Sequence, residues 1–352
     1  MSRVDTRFDA WPRWTAVALL AATMALVAIG FGADRPALPY DPATLKSTDT
    51  GLYLAVAADV RRGENYYDAA VREHRKVGYP LHPFVTVREP TLAWITAAVG
   101  GLTGLKILMA PLLVAIAVLG AHRLDQLGIA RWQWWIAALL WGAGFAAMCL
   151  TSLPARHETW AGALIALGLL LYRRDRVIPS AGLILASVLI RDLALLAPAI
   201  LGLMALFGRR WRELTVWAVV GGIGAAALAM HAAAVSHHVT AADRHSQGWT
   251  RCGGWPFSLT TIDSTSLLLL VQPIAPLVVP LALLGWLSIR APLANQIVAL
   301  AVGYLAVFAC VGRPENWYWG FLISAMLVPG ISFAGPAVAS LVRRAFRTDL
   351  RA

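Results

Sequence analysis

Charged residues are scarce in this sequence, and those present are distributed unevenly. Asp, Glu, Lys and Arg make up 14% of the 352 residues, whereas a soluble domain usually carries about 25%. Apolar residues make up 59% of the chain, in long blocks separated by short basic segments. This pattern excludes an ordinary soluble protein. It predicts an all-α, polytopic membrane protein that forms a single integral membrane domain over residues 1–352.

Cysteine is also rare, and the catalytic motifs of several enzyme classes are missing. The three cysteines match no zinc-binding spacing. A disulfide between Cys252 and Cys310 is an alternative to two free thiols, because both fall on the same predicted side of the membrane. The sequence has no phosphate-binding P-loop, serine-hydrolase elbow or HExxH zinc motif. The net charge of +11 does not indicate nucleic-acid binding, because the basic residues lie at the ends of apolar segments.

The apolar runs predict about ten membrane crossings, since a crossing needs roughly 20 residues. Basic clusters at Arg123/Arg131, 173–176, 209–212, Arg290 and Arg343/Arg344 are expected in the cytoplasm. Both termini are then cytoplasmic, and the longer loops lie outside. The predicted crossings are at about 14–32, 105–121, 133–150, 159–172, 177–190, 193–207, 214–235, 265–289, 293–311 and 319–340.

Three of these apolar runs have unusual lengths. The run 177–207 is interrupted only by Arg191-Asp192 and has basic clusters on both sides, so it is predicted to form two short helices with this pair at the outer hairpin. The run 159–172 is also short. Short crossings imply an outer cavity that is wet or lined by protein.

The run 91–120 is too long for one crossing and contains Gly100-Gly101. We therefore expect a helix at 91–102 that lies in or dips into the outer face of the membrane, followed by a crossing at about 105–121.

The first outer loop, residues 33–90, is predicted to contain two amphipathic helices at the membrane surface. Residues 47–49 (Ser-Thr-Asp) offer N-caps for the first helix, which Gly63 would end. The second helix is predicted at 65–77, with Gly78 as its stop and basic residues in its last turn. A second outer loop is predicted at 236–264.

The order of these features resembles the GT-C superfamily of membrane glycosyltransferases. Over about residues 14–120 it is similar to the bacterial mannosyltransferases that use polyprenyl-phosphate mannose. The motifs that carry the resemblance are Asp49-x3-Tyr53, Gly63-Glu64-Asn65-Tyr66-Tyr67 and Tyr79-Pro80-Leu81. The resemblance implies a bacterial inner-membrane enzyme with an extracytoplasmic active site. Its donor would be a polyprenyl-phosphate sugar and its acceptor an envelope glycan or lipid.

Such a reaction needs a base for the acceptor hydroxyl and positive groups for the departing phosphate. Asp49 is the predicted base, and the alternative is that it only caps a helix. Tyr53 lies one helical turn later and shares its face. Arg191 is predicted to bind the lipid phosphate with Asp192 as support, and the alternative is a hairpin ion pair.

Other charged residues next to predicted outer helix ends are further candidates. Arg88, His157 and Arg313 are predicted to bind the donor phosphate, and Glu158 and Glu315 to contact or support the acceptor. For each of them, an interfacial polar residue without a catalytic role is the alternative.

The second outer loop offers a possible site for a divalent cation. His237, His238, Asp243 and His245 are of the types that bind such ions, but their spacing matches no strong motif. No metal or other cofactor is therefore assigned, and polar surface residues are the preferred interpretation.

The sequence thus predicts an integral membrane glycosyltransferase, with Asp49 as its general base. One alternative is a transporter or flippase of lipid-linked sugar, which inverted repeats or facing charges at mid-bilayer would favour. The other is a non-catalytic scaffold for envelope assembly, which would not need short helices around an outer cavity. Membrane lipids are expected partners, and nucleic acid is not.

Overall fold

The computed structural model describes residues 6–34, 49–127 and 129–346, and most of these residues are helical. The described α-helices are α1 (Arg13–Gly32), α2 (Asp49–Arg61), α3 (Tyr66–Val77), α4 (Thr91–Ala98), α5 (Leu102–Gln126), α6 (Arg131–Leu150), α7 (His157–Leu171), α8 (Ile178–Ile190), α9 (Leu196–Phe207), α10 (Trp211–Ser236), α11 (Gly254–Ser264), α12 (Ala275–Ser288), α13 (Pro292–Cys310), α14 (Ser324–Leu327) and α15 (Ala334–Phe346). Short 3-10 helices are found at Arg7–Ala10, Phe84–Thr86, Leu153–Ala155, Asp192–Leu195, Leu267–Ile274, Pro314–Leu322 and Val328–Phe333.

Within the described residues, six helical segments are long and apolar enough to cross a membrane. This confirms the all-α class and agrees with a membrane protein, while the count of about ten crossings and the GT-C layout stay predictions. The six are Arg13–Gly32, Leu102–Gln126, Trp211–Ser236, Leu267–Ser288, Pro292–Cys310 and Ser324–Phe346.

The contacts group the chain into two compact units. The first consists of residues 1–38, 120–144 and 250–352, and the second of 39–119 and 145–249. The single-domain organisation stays a prediction.

In the first unit, α1 packs against α12 and α15. The apolar run 319–340, predicted as one crossing, largely coincides with the candidate span Ser324–Phe346, in which α14, a 3-10 segment and α15 follow one another. Pro329 and Gly330 interrupt it because proline removes a backbone donor and glycine favours irregular backbone. Gly330 in turn allows close packing: a Cβ there would lie 2.2 Å from the Ala282 carbonyl oxygen.

The helix α11 was not predicted, because its residues fall in the last third of the segment 236–264. Its sequence, GWPFSLTTIDS, has a weak apolar pattern, yet every residue from Phe257 to Ser264 is buried. Helix α11 packs against α13 and the segment Pro314–Leu322. Tertiary packing, rather than local propensity, therefore accounts for this helix.

Gly285 marks the closest approach between α12 and the segment after α14. A Cβ at this position would lie 2.0 Å from the Gly330 carbonyl oxygen, a backbone atom that cannot move aside alone. We expect Gly285→Ala to destabilise the protein by about 1–3 kcal/mol, as overpacking of a closed interior does. Equilibrium unfolding in detergent micelles measures this effect.

Gly335→Ala is the matched control, because nothing lies within 4 Å of the Cβ added there. It lies near the start of α15, where alanine is favoured over glycine by about 0.5–1 kcal/mol. Equal stability of the two variants would contradict the close packing at Gly285.

In the second unit, the predicted pair of short helices is confirmed. Helices α8 and α9 are joined at Arg191 and Asp192, and α7 packs against α8. The helices α7, α8 and α9 have 15, 13 and 12 residues. At about 1.5 Å per residue, each is shorter than the roughly 30 Å of a bilayer core.

The two helices predicted in the segment 49–90 are also confirmed. Asn65 caps α3 by accepting a hydrogen bond from the Tyr67 amide, and Gly78 ends α3 with a left-handed backbone. Helix α2 begins at Asp49, and the rival caps at 47 and 48 lie outside the described residues. The capping prediction for Asp49 and the location at the membrane surface therefore stay predictions.

A shared apolar core holds this segment together. Leu52 and Val56 of α2 pack with Tyr66 and Val71 of α3, and Val235 of α10 joins the same cluster. The two helices therefore pack on each other and on α10, so their position is set by tertiary contacts.

The break in the run 91–120 occurs at Gly100 and Gly101. Both have positive φ angles, of 83° and 99°, which glycine adopts without strain. Helix α4 ends at Ala98 and α5 begins at Leu102, three residues before the predicted start of the crossing.

Candidate functional site

Charged side chains from four separate segments meet in the second unit. The segments are the start of α2, the residues before α4, the start of α7 and the α8–α9 hairpin. We call their polar residues the charged cluster: Asp49, Tyr53, Arg88, Glu89, Arg156, His157, Glu158, Arg191 and Asp192. Seven of these nine residues were predicted from the sequence as site residues.

Glu158 and Arg191 form the buried centre of the cluster, with 1% and 4% of their side chains exposed. The Arg191 Nε lies 2.5 Å from Glu158 Oε1, without the alignment of a hydrogen bond. Arg191 also pairs with Asp192, and the Arg88 Nη2 lies 3.9 Å from Glu158. Buried charges need such partners, because each one loses its hydration on folding.

Arg88 is held in place by the two helices of the segment 49–90. Its Nε donates a hydrogen bond to the Tyr53 hydroxyl over 3.0 Å. The Tyr66 hydroxyl donates to the Arg88 carbonyl oxygen. Tyr53 therefore lies in the cluster, where its hydroxyl orients the Arg88 guanidinium group. Its predicted role as an acceptor or support residue stays a prediction.

Asp49 joins the cluster through Arg156. Their closest atoms are 3.7 Å apart, and 23% of the Asp49 side chain is exposed. Asp192 is about as open, at 20%, but its Oδ1 is occupied by Arg191 and by the Leu193 amide. Asp49 thus combines an open position with a loose ionic contact, which suits a proton acceptor better than the closed environment of Glu158.

A narrow cleft of about 380 Å³, open solvent included, lies beside these residues. Its polar lining consists of Tyr53, Tyr66, His74, Arg88, Thr96 and His157. His157 is buried at the first position of α7, and its Nδ1 has no hydrogen-bond partner among the described residues. The His157 ring packs edge-on against Tyr53, with centroids 4.7 Å apart. An orphaned buried nitrogen at a helix start is suited to contact a ligand oxygen.

Glu89 is a member of the charged cluster and is almost fully buried. Burial and the nearby Asp192 carboxylate raise the pKa of Glu89 from 4.5 to about 8, against the opposing effects of Arg191 and Arg88. Between pH 4.5 and about 8 the folded protein therefore holds a proton that the unfolded chain has released. The free energy of unfolding must fall as the pH rises through this window.

We expect the slope of this fall to approach about 1.4 kcal/mol per pH unit and Glu89→Gln to remove most of it. The measurement is equilibrium unfolding in detergent at several pH values between 5 and 8. Glu64→Gln is the control, because that carboxylate is half-buried and pairs with Arg72 at the surface. An unchanged slope in Glu89→Gln would contradict a protonated Glu89.

One residue near the site, His231, was not identified from the sequence. His231 of α10 donates through Nε2 to the Val87 carbonyl oxygen over 3.0 Å. Its Nδ1 lies 3.3 Å from the Tyr67 hydroxyl. His231 therefore links α10 to both α3 and the residues before α4. The sequence signal that could have identified His231 is its position as an ionisable residue inside the apolar run 214–235, since such a residue is a functional candidate by default.

Arg313 and Glu315, also predicted from the sequence, belong to the first unit. They pair with each other, with 3.7 Å between their closest atoms. Their predicted roles in donor and acceptor binding stay predictions.

The residues of the alternative cation site have separate partners. Arg75 donates hydrogen bonds from Nε and Nη2 to the two carboxylate oxygens of Asp243, each over 2.8 Å. His245 stacks on His82 with ring centroids 4.5 Å apart. Among the described residues, no group of three His, Cys, Asp or Glu side chains is placed to hold a metal ion.

In comparisons with protein-family models, curated proteins and solved structures, no match to this chain was found.

Proposed function

We propose that this protein is an integral membrane glycosyltransferase that uses a polyprenyl-phosphate monosaccharide. The supporting observation is that Asp49 and three arginines belong to one charged cluster at the ends of helices. Arg156 lies beside Asp49, and Arg88 and Arg191 both face Glu158. A carboxylate and several guanidinium groups are what transfer from a phosphate-linked sugar requires. In the proposed topology, this site faces the extracytoplasmic side of the bacterial cytoplasmic membrane. The acceptor is an envelope glycan or lipid.

In the proposed reaction, the acceptor oxygen attacks the anomeric carbon of the donor. The bond from that carbon to the phosphate oxygen breaks, and polyprenyl phosphate leaves with the bonding electrons. Asp49 takes the proton of the acceptor hydroxyl. A direct displacement of this kind inverts the anomeric centre.

We assign different roles to the three arginines of the cluster according to the exposure of their side chains. Arg88 and Arg156 are each 12% exposed, three times more than Arg191. We assign the phosphate contact to Arg88 and Arg156, whose planar groups bind phosphate oxygens in pairs. Arg191 instead orients Glu158 and the α8–α9 hairpin, which revises the role first predicted for it.

Arg156 also connects donor binding to the base. The closest atoms of Arg156 and Asp49 are 3.7 Å apart. A donor phosphate bound by Arg156 would compete with the Asp49 carboxylate for this guanidinium group and loosen the ionic contact between the two side chains.

The test is a transfer assay with the purified full-length protein in lipid nanodiscs. The donors are synthetic polyprenyl phosphates carrying mannose, glucose, galactose or arabinose, and the acceptor is a bacterial envelope lipid extract. We expect release of polyprenyl phosphate together with a glycosylated acceptor. Intact donor with every sugar, from a preparation that unfolds cooperatively, would overturn the proposal.

The same assay separates the alternatives. A transporter or flippase would move the donor across the membrane of a liposome without breaking its sugar–phosphate bond. A scaffold would neither move nor cleave it.

A further inference from the structure

The first unit brings two cysteines close together at one end of the α11–α13 pair. Cys252 lies just before α11, and Cys310 is the last residue of α13. The Cys252 thiol donates to the Cys310 carbonyl oxygen, with 3.6 Å between sulfur and oxygen. Both cysteines are exposed free thiols in this structure.

The packing of α11 against α13 keeps Cys252 and Cys310 close to each other. The Ser258 hydroxyl donates to the Leu305 carbonyl oxygen over 2.8 Å. Cys252 precedes Ser258 in the chain, whereas Cys310 follows Leu305, so the two contacts show that α11 and α13 run antiparallel. The proximity of the two cysteines therefore follows from helix packing.

The Phe257 ring of α11 packs closely against the backbone just beyond Cys310. A Cβ at Gly312 would lie 2.6 Å from the Phe257 ring of α11. Only glycine leaves room for this approach two residues beyond Cys310.

The geometry brings the two residues within reach of a covalent bond. Bond lengths place a carbonyl oxygen about 2.4 Å from its own Cα, so the Cys252 sulfur is at most about 6 Å from the Cys310 Cα. The two Cα atoms are separated by at most this distance plus the length of the Cys252 side chain, and disulfides usually join Cα atoms about 4.4–6.8 Å apart. Rotation of the two side chains, with a small adjustment of the non-helical segment 249–253, can bring the sulfurs together.

We propose that Cys252 and Cys310 form an intramolecular disulfide in the membrane-inserted protein. The predicted topology puts both on the extracytoplasmic side, where an oxidising compartment allows such bonds to persist. The two thiols are oxidised by a disulfide-bearing oxidant, which is reduced to two thiols as the Cys252–Cys310 bond forms. This proposal does not depend on the glycosyltransferase activity.

The bond would join residues separated by 58 positions in the chain. Cross-links over loops of this length restrict the unfolded chain and thereby stabilise the folded one. The bond would also fix the beginning of the segment that carries Arg313 and Glu315 against α11.

The direct test is to trap thiols with N-ethylmaleimide while membranes are lysed, purify the full chain and digest it without reductant. Mass spectrometry is expected to find the Cys252 and Cys310 peptides linked, with the link lost after dithiothreitol. Maleimide on both residues, or a link from either one to Cys149, would overturn the proposal.

A variant cycle gives an independent readout. Cys252→Ser, Cys310→Ser and the double variant are expected to lower the unfolding midpoint by the same several degrees, because each breaks the same bond. Dithiothreitol should lower the wild-type midpoint to that level, while Cys149→Ser should keep both the link and the midpoint. Additive losses, or none in the absence of reductant, would contradict the disulfide.

Discussion

Asp49→Asn is expected to lower the turnover number for sugar transfer by about 10²–10⁴-fold, the contribution that general acid–base catalysis typically makes. Asparagine has nearly the same shape as aspartate but cannot take the proton of the acceptor hydroxyl. Because about a quarter of the Asp49 side chain is exposed, the fold should tolerate the change. The Michaelis constant for the donor should change little, since the lost interaction is made in the transition state.

The matched control is Asp68→Asn, which changes a carboxylate of the same segment outside the cluster. The Asp68 side chain is exposed on α3 and lies 3.5 Å from the His238 ring. Its turnover should remain close to that of the wild type. Near-normal turnover in Asp49→Asn, with its cooperative unfolding retained, would exclude Asp49 as the base and direct attention to Asp192.

Glu158→Ala is expected to destabilise the protein by about 3–5 kcal/mol, the loss seen when one member of a buried ion pair is removed. The variant leaves the Arg191 guanidinium buried with Asp192 as its remaining ionic partner in the cluster. It also removes the carboxylate that faces Arg88. Equilibrium unfolding in detergent micelles measures the loss.

Two further variants test whether the loss of stability in Glu158→Ala comes from the unpaired Arg191 charge or from the loss of any carboxylate. Asp175→Ala removes a carboxylate that also lies between two arginines, at 3.5 and 3.8 Å, but in an exposed turn of the same unit. It should change stability by less than about 1 kcal/mol. The double variant Glu158→Met/Arg191→Met should recover part of the loss, because it removes both buried charges. A double variant no more stable than Glu158→Ala would contradict the ion-pair account.

The regular parts of the fold were largely predictable, because they follow from local chemistry. Asn65 and Gly78 marked the limits of α3, and Gly100-Gly101 marked the break between α4 and α5. Arg191-Asp192 marked the hairpin between α8 and α9. Each of these signals is a residue type with a strong backbone or solvation preference at one position.

The irregular parts of the first unit were not predictable in the same way. Helix α11 forms from a weakly patterned segment because α13 and neighbouring residues bury it. The run 319–340 is apolar enough for one helix, yet it is divided around Pro329 and Gly330, where the backbone approaches α12. Long-range packing decided both features, and it leaves only a faint trace in the local sequence.

The candidate site shows the same division. Hydropathy and the distribution of arginine determined the membrane-protein class and the short helices, because an apolar solvent strongly restricts where charge can be placed. The positions of Asp49, Arg88, Glu158 and Arg191 in the sequence identified them as charged residues next to predicted helix ends. Their pairing was decided by the tertiary structure, since it depends on how α2, α7 and the α8–α9 hairpin pack. That packing buried Arg191 against Glu158 and left Asp49 open beside Arg156, a distinction that sequence spacing cannot carry.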